Sequence, residues 1–409
     1  MEKVYKAIDA MKGYALELQK HMVAIPAISP TFGGEGELKK AQYLESELKK
    51  LKFDEIIHVD AKDERALGQT RPNIVARYFG KDKTKTLWII AHTDIVPEGD
   101  RTLWKTDPFE LAVDADGDTI YGRGVEDNHH AIIAGFMAAR AVMESGVKPP
   151  VNIGLMLLCD EEVEEGYGVE EVIKRRRDLF GEKDSFLVMD SGDAQGQTVE
   201  IAEKTILWTK FTVTGKQCHA SMPEEGNNAL LASSNLIVRL HGGLYAKFDR
   251  KDDLFSPANS TFEPTKKEAG VPNINTIPGT DAFYMDCRFL PSYDTKEVVA
   301  EIKKITESVE KEFGVQVKFE VVQNLASLPT KKDAPIVQKY CLAVKDIYKT
   351  EPKIMGVGGG TFASFIRNLG LPAVVGSKIY EEPHSPNERA KLSFAQDEAK
   401  AICHVLANL

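Results

Sequence analysis

Amphipathic stretches at helical spacing alternate along the chain with short runs that are apolar throughout. Residues 5 to about 22 place apolar side chains three and four apart, and so does the charged stretch from about 35 to 51. This predicts two helices, with a loop bracketed by Pro26 and Pro30 between them. Residues 73–79 alternate like a half-buried strand. Residues 87–91 do not alternate. Their unbroken apolar character fits a strand covered on both faces, and it ends abruptly in His92, Thr93 and Asp94. Residues 151–158 form a second such run, closed by Cys159, Asp160, Glu161 and Glu162, and residues 185–189 a third, closed by Asp190. Between the first two runs a long loop from 96 to about 118 leads to Gly122, Arg123 and Gly124, whose glycines allow a tight turn. A helical run from 131 to 144 follows, with Asp127 or Asn128 placed as its N-cap.

Near residue 205 the texture changes. Residues 206–214 alternate as a strand, and a polar turn follows with Cys218, His219, Ala220, Ser221 and Pro223. Residues 227–240 look helical, 273–277 and 281–289 look like strands, 295–313 carry an apolar stripe, and 316–322 read as a last strand. That β-α-β-β-α-β order is the order of a ferredoxin-like unit. Strand and helix patterning resumes near 333. It includes Gly356, Gly358, Gly359, Gly360 and Thr361, a short strand at 371–375, and a proline-flanked loop centred on His384. The glycine-rich turn lacks the lysine and hydroxyl ending of a phosphate loop, and reads as a place where backbone amides approach a ligand. The expected fold class is therefore α/β. A mixed, largely parallel sheet flanked by helices spans residues 1–204 and 324–409, and an α+β domain is inserted at 205–323.

Length supports two domains, since 409 residues are many for one core. A net charge of -10 argues against a nucleic-acid partner, whose phosphates need a basic surface. No apolar run reaches membrane-spanning length, and the first twenty residues lack the uninterrupted apolar core of a signal peptide. The five cysteines are scattered, with no zinc-finger or redox spacing, and read as reduced thiols of a cytoplasmic protein.

In open α/β sheets ligands sit outside the carboxyl ends of the strands. Three buried strands that each finish in a histidine or acids, with Asp127 between them, form a pattern for a carboxylate-rich metal site. Acids placed directly after a buried strand are costly unless something compensates their charge. His92 suits a metal through one ring nitrogen while Asp94 takes a proton from the other. The competing readings are an N-cap for Asp127 and a surface position for His384. His129 and His130 read as structural, and Glu164, Glu165, Glu170 and Glu171 as a solvated helix start. The residues alone leave open which of Glu161 and Glu162 is a base.

His92, Thr93 and Asp94, the Gly122, Arg123, Gly124 turn with Asp127, the Asp160, Glu161, Glu162 triplet, Asp190 and His384 stand in the order and spacing of a known amidohydrolase family. The chain resembles the dinuclear-zinc family of acetylornithine deacetylase, succinyl-diaminopimelate desuccinylase, aminoacylase, glutamate carboxypeptidase and several dipeptidases, over nearly its whole length. The resemblance implies that His92 and Asp190 bind one metal, Glu162 and His384 the other, and that Asp127 bridges them. It implies that Asp94 orients His92, that Glu161 is the general base, and that the peptide bond after Asp127 is cis. The inserted domain would be a lid and homodimer interface. Its His219 resembles a transition-state-stabilising histidine often supplied to the partner's site. Asn275 and Arg288 match positions that bind the substrate carboxylate or backbone, and Gly360 and Thr361 match a substrate-contacting loop. One departure is His129, where many members have lysine.

The implied activity is hydrolysis of dipeptides or short peptides by a water activated between two divalent ions. Imidazole and carboxylate ligands without thiolate suit zinc, and also cobalt or manganese. The alternative is deacylation of N-acyl amino acids, of the acetylornithine deacetylase or succinyl-diaminopimelate desuccinylase type. A third reading is a non-catalytic metal-binding dimer module.

Overall fold

The computed structural model describes residues 1–268 and 270–409. The chain divides into two compact units. One comprises Met1–Ile201, Thr330–Met355 and Thr361–Leu409, the other Ala202–Pro329 and Gly356–Gly360.

The first unit is built on an eight-stranded sheet. Its strands lie in the order Glu55–His58, Ile74–Tyr78, Val151–Leu158, Asp82–His92, Ser185–Asp193, Ala373–Lys378, Thr198–Glu203, Lys353–Val357. The four central strands, from Val151–Leu158 to Ala373–Lys378, run parallel, and antiparallel pairs flank them on both sides. The sheet is thus mixed and largely parallel at its centre. Both faces of the central strands are covered, which is why their sequences are apolar without alternation. On one face Trp88, Ile90, Met156, Leu158, Phe186 and Val188 meet Val169, Val172, Phe362 and Ile366. On the other face lies the helix His129–Ser145, which also packs on Leu392–Asn408. Gly135 allows this helix close to the sheet, since a Cβ there would stand 3.1 Å from Leu155. Trp88 is buried with its indole N–H donated to Asp184 Oδ2 at 2.9 Å, so its large apolar body goes inside at no loss of a hydrogen bond.

Two local expectations in this unit differ from the structure, and one strand carried no recognisable pattern. The first helix is two, Glu2–Asp9 and Lys12–Val23, broken at Ala10 and Met11. Asp190 does not end its strand, which continues to Asp193 because Gly192 lies against Ser377 of the neighbouring strand. The strand Thr198–Glu203 escapes the apolar pattern because it carries two glutamates, yet every residue in it is buried. Glu200 is tolerated there because the Arg367 guanidinium donates to it at 3.3 Å.

The second unit has an antiparallel sheet in the order Thr261–Lys267, Thr280–Phe289, Thr205–Thr214, Gln316–Leu325. The helices Ala229–Lys247 and Thr295–Phe313 cover one face, over a core that includes Phe211, Phe262, Phe283, Leu236, Leu240 and Ile302. The element order is β-α-β-β-α-β, but the second strand is Thr261–Lys267 rather than 273–277. That strand is an edge with Pro264, lysines and a single buried residue, Phe262, so it shows no hydrophobic alternation. Of 273–277 only Thr276–Ile277 is strand, paired with Cys218–His219. The glycines 356–360 cluster with this unit. Arg288 Nη1 donates to Gly358 O at 2.8 Å, and Gly356 meets the Phe255 ring.

Among the described residues no helix is long and apolar enough to cross a membrane.

Candidate active site

The four parallel strands deliver their polar residues at one end of the sheet. His92 closes Asp82–His92, Glu161 and Glu162 follow Val151–Leu158, Asp190 lies near the end of Ser185–Asp193, and His384 sits in the loop after Ala373–Lys378. Neighbouring strands are about 4.8 Å apart, so side chains from adjacent strand ends fall within reach of one ion. Asp127 comes from the turn before the helix His129–Ser145, and its peptide bond to Asn128 is cis. Gly124 in that turn has φ 86°, and a Cβ there would meet Ile95 and His129 at 2.7 and 2.8 Å, so only glycine fits.

The two oxygens of Asp127 face different histidines. His92 Nε2 lies 2.9 Å from Asp127 Oδ1 and 3.4 Å from Asp190 Oδ1. His384 Nε2 lies 3.2 Å from Asp127 Oδ2 and 3.0 Å from Glu162 Oε2. His92, Asp127 and Glu162 form one group whose ligand atoms all lie within 4.8 Å of one another, and His92, Glu161 and Asp190 form another. Glu162 Oε1 is buried without a hydrogen-bond partner. Two imidazoles and converging carboxylates, one of them with an orphaned oxygen, are a donor set that fits divalent cations of the zinc, cobalt or manganese type.

Asp94 is fully buried beneath this cluster. Its Oδ1 accepts from the Glu161 N–H at 3.2 Å and its Oδ2 from the Glu162 N–H at 3.0 Å. His92 Nδ1 lies 3.4 Å from Asp94 Oδ1 and 3.0 Å from the Asp94 carbonyl oxygen. One carboxylate thus fixes the ring of His92 and the turn that carries both glutamates.

Burial, followed by the Asp190 charge, holds the Glu161 carboxyl well above the usual carboxylate range. Burial and the Asp127 charge push Glu162 up to about 7. Asp127 is held far below its ordinary value, because His384 and His92 outweigh the effect of burial. His384 is raised to about 10 by its contacts with Asp127 and Glu162, and His92 is raised well above its ordinary value because its three aspartates outweigh burial. In the ion-free protein these carboxylates favour the protonated form of both rings. A raised folded-state pKa stabilises the fold below the unfolded value of about 6.5 and loses that effect as pH climbs through the folded one. Ion binding must displace these protons. Zinc added to ion-free protein at pH 7 is expected to release more than one proton per chain, and progressively fewer as pH approaches 10. Calorimetry in buffers of different ionisation heat measures this, and a release of one proton or fewer at pH 7 would contradict it.

Several residues that the sequence pattern did not mark support the cluster. Asn128 makes no side-chain cap. Its Oδ1 accepts from the His92 N–H at 3.3 Å, and its Nδ2 donates to Met189 O and to Asp190 Oδ1 at 2.8 and 2.7 Å. His129 is buried with Nε2 2.7 Å from Lys40 Nζ, and Lys40 is itself buried, its ammonium pushed down to about 7 by burial. An amine thus stands beside residue 129 although the sequence has histidine there, and it comes from the helix Leu38–Lys50. Glu126 and Glu388 are buried carboxylates that accept from backbone amides and, for Glu388, from Arg123.

Thr361 caps the helix Phe362–Asn368, its side chain accepting from the Ala363 N–H. His219, Asn275, Arg288 and Gly360 lie in the second unit. There the Ala220 N–H donates to Asn275 O at 2.9 Å, which sets His219 and Asn275 on neighbouring segments. His219 is exposed, with Nδ1 2.8 Å from Ser221 Oγ. Arg288 grips Asp286, two residues before it, through Nε and Nη2 at 3.1 Å.

Residues 88–408 match the model of peptidase family M20/M25/M40. An uncharacterised metallohydrolase of Methanococcus maripaludis is 39% identical over 96% of this chain and 98% of its own length. A succinyl-diaminopimelate desuccinylase of Roseobacter denitrificans is 28% identical over 81% of this chain and 84% of its own. Among solved structures, human carnosine dipeptidase 1 superposes with a TM-score of 0.78 at 18% identity, covering 100% of this chain and 98% of that one. The chain is a metallohydrolase that belongs to peptidase family M20/M25/M40.

Proposed function

We propose that the protein hydrolyses amide bonds of small substrates, dipeptides or short peptides, with two divalent ions held by His92, Asp127, Asp190, Glu162 and His384. The observation that carries this reading is the placement of the two Asp127 oxygens, one 2.9 Å from His92 and the other 3.2 Å from His384. A single carboxylate shared between two imidazole-carboxylate sets is the simplest way to hold two cations about 3.5–4 Å apart. Such ions supply Lewis acidity toward the carbonyl oxygen and lower the pKa of water to roughly 7. Glu161 takes the proton of the attacking water and passes it to the leaving nitrogen. Asp94 keeps the His92 ring oriented. In the second unit, His219 would stabilise the oxyanion and Asn275 and Arg288 would hold the substrate carboxylate, with Gly360 and Thr361 contacting the substrate backbone.

Deacylation of an N-acyl amino acid is the second reading. It is supported by the several relatives named as succinyl-diaminopimelate desuccinylases, which match 78–96% of this chain at 25–28% identity. A homodimer through the second unit also belongs to this proposal. It is supported by the exposed apolar face of the helix Ala229–Lys247, which carries Leu230, Leu231 and Val238.

The test is release of free amino groups from dipeptides, tripeptides, N-acetyl and N-succinyl amino acids by protein loaded separately with zinc, cobalt or manganese. Turnover of peptides with inert acyl amino acids is expected. The reverse pattern would replace the peptide reading by the deacylase reading. Silence across the panel with two ions bound would reject both. Sedimentation of the same preparation as single chains would remove the dimer.

A further inference from the structure

The strand order poses a geometric problem for His384. The strands Asp82–His92 and Ser185–Asp193 stand between the one that leads to Glu162 and the one that leads to His384. The loop 379–388 must therefore bend back across the sheet end to bring His384 to 3.0 Å from Glu162. Its own backbone does not favour that path. Glu381, His384 and Asn387 all have φ near 60°, a conformation that costs energy for residues with a side chain. The His384 side chain is also 56% exposed, so packing does little to hold it.

What holds the loop is the neighbour of Asp127. Glu126 is 2% exposed. Its Oε2 accepts from the Tyr380 N–H at 2.7 Å and its Oε1 from the Glu382 N–H at 2.9 Å. The hold is reciprocal. Glu388, at the far end of the loop, accepts from the N–H groups of Gly124, Glu126 and Asp127 at 2.9, 2.9 and 3.0 Å. Arg123 closes the circuit, donating from Nη1 to Glu388 Oε2 at 2.8 Å and from Nη2 to the His384 carbonyl at 3.3 Å. Glu126 thus spends both oxygens on two amides of the loop that carries His384, while the next residue along its own chain supplies the shared carboxylate.

We propose that Glu126 is a positioning residue for one ion only, the one held by Asp127, Glu162 and His384. The proposal rests on the two-ion reading above. Asp127 is shared by both ions, but the other two ligands of the second ion, His92 and Asp190, lie on strand ends held by Asn128 and Asp94, and among the described residues the Glu126 carboxylate bonds neither of these two holders.

Glu126→Gln keeps size but leaves one acceptor for two amide donors and turns an NH₂ group toward the other. Partners of this kind typically alter ion affinity by about 10–100-fold. Zinc titration of ion-free protein by calorimetry, with metal analysis after dialysis, is expected to show two sites in the wild type. In Glu126→Gln one site should be unchanged and the other weaker by about 10–100-fold, with His384→Ala giving the same one-ion protein. Two unchanged sites in Glu126→Gln would overturn the proposal. Equal weakening of both sites would also overturn it, since it would mark Glu126 as merely structural. A wild type that binds fewer than two ions would instead defeat the two-ion reading. Amide exchange of the ion-free wild type decides the matter if the variant does not fold or the second site is missing. The Tyr380 and Glu382 amides should be protected, and exchange at the rate of free amides would overturn the clasp.

Discussion

Glu161→Gln is expected to lower turnover by about 10²–10⁴-fold while two ions stay bound per chain. The carboxamide keeps the shape of the side chain and removes only its ability to accept a proton. The structure makes this substitution informative in a second way. Glu161 shares a group with His92 and Asp190 within 4.8 Å, so geometry alone permits it to be a ligand as well as a base. The two roles part in one preparation. A base predicts full ion content with turnover nearly lost, and a ligand predicts loss of the ion at His92. Metal analysis beside a rate measurement at saturating substrate reads the difference. Loss of an ion would move the base assignment away from Glu161 and give Glu162 the first claim to it.

How far this site could be read from the chain depends on the range of the interaction. The strand ends were legible because burial on both faces forces an unbroken apolar run, and a polar residue that breaks it must lie at an end. Val151–Leu158 is the clearest case, with the expected and observed bounds the same. The parallel order then brings His92, Glu162 and Asp190 together with no further information. Glu126 and Glu388 were not legible, because their partners lie more than 250 residues away along the chain and are backbone amides, which leave no mark in composition or spacing. Asn128 was hidden by its position, where a helix cap explains an asparagine equally well. Thr261–Lys267 was hidden by being an edge, since an edge strand avoids the very alternation that identifies strands. Lys40 was absorbed into a charged helix face, and only the tertiary fold turns it inward onto His129. Local physics therefore gives the polar strand ends, and long-range hydrogen bonds give the surroundings that hold them in place.

Asp94→Asn tests those surroundings where they are most concentrated. The substitution leaves one oxygen for two amide donors, those of Glu161 and Glu162, and faces an NH₂ group toward one of them. A buried donor left without a partner costs about 1–3 kcal/mol, so the turn carrying both glutamates is expected to shift or loosen. The His92 ring loses an anionic neighbour at 3.4 Å at the same time. Ion affinity is expected to fall by about 10–100-fold. Turnover at saturating ion should still fall by about 10²-fold, because a displacement of about 1 Å at a catalytic group has that effect. The second result separates Asp94 from a group that only serves His92, since excess ion would rescue such a variant fully. The acid side carries the same signature. His92 and the two amides hold the Asp94 carboxyl below its ordinary value against the opposing effect of burial. Its stabilising contribution is therefore present above the unfolded carboxylate pKa of about 3.9 and lost as pH falls through the lower folded value. Below about pH 4 the melting temperatures of ion-free wild type and Asp94→Asn should converge, and a constant gap down to the acid limit would show that the carboxylate charge is not what holds the turn.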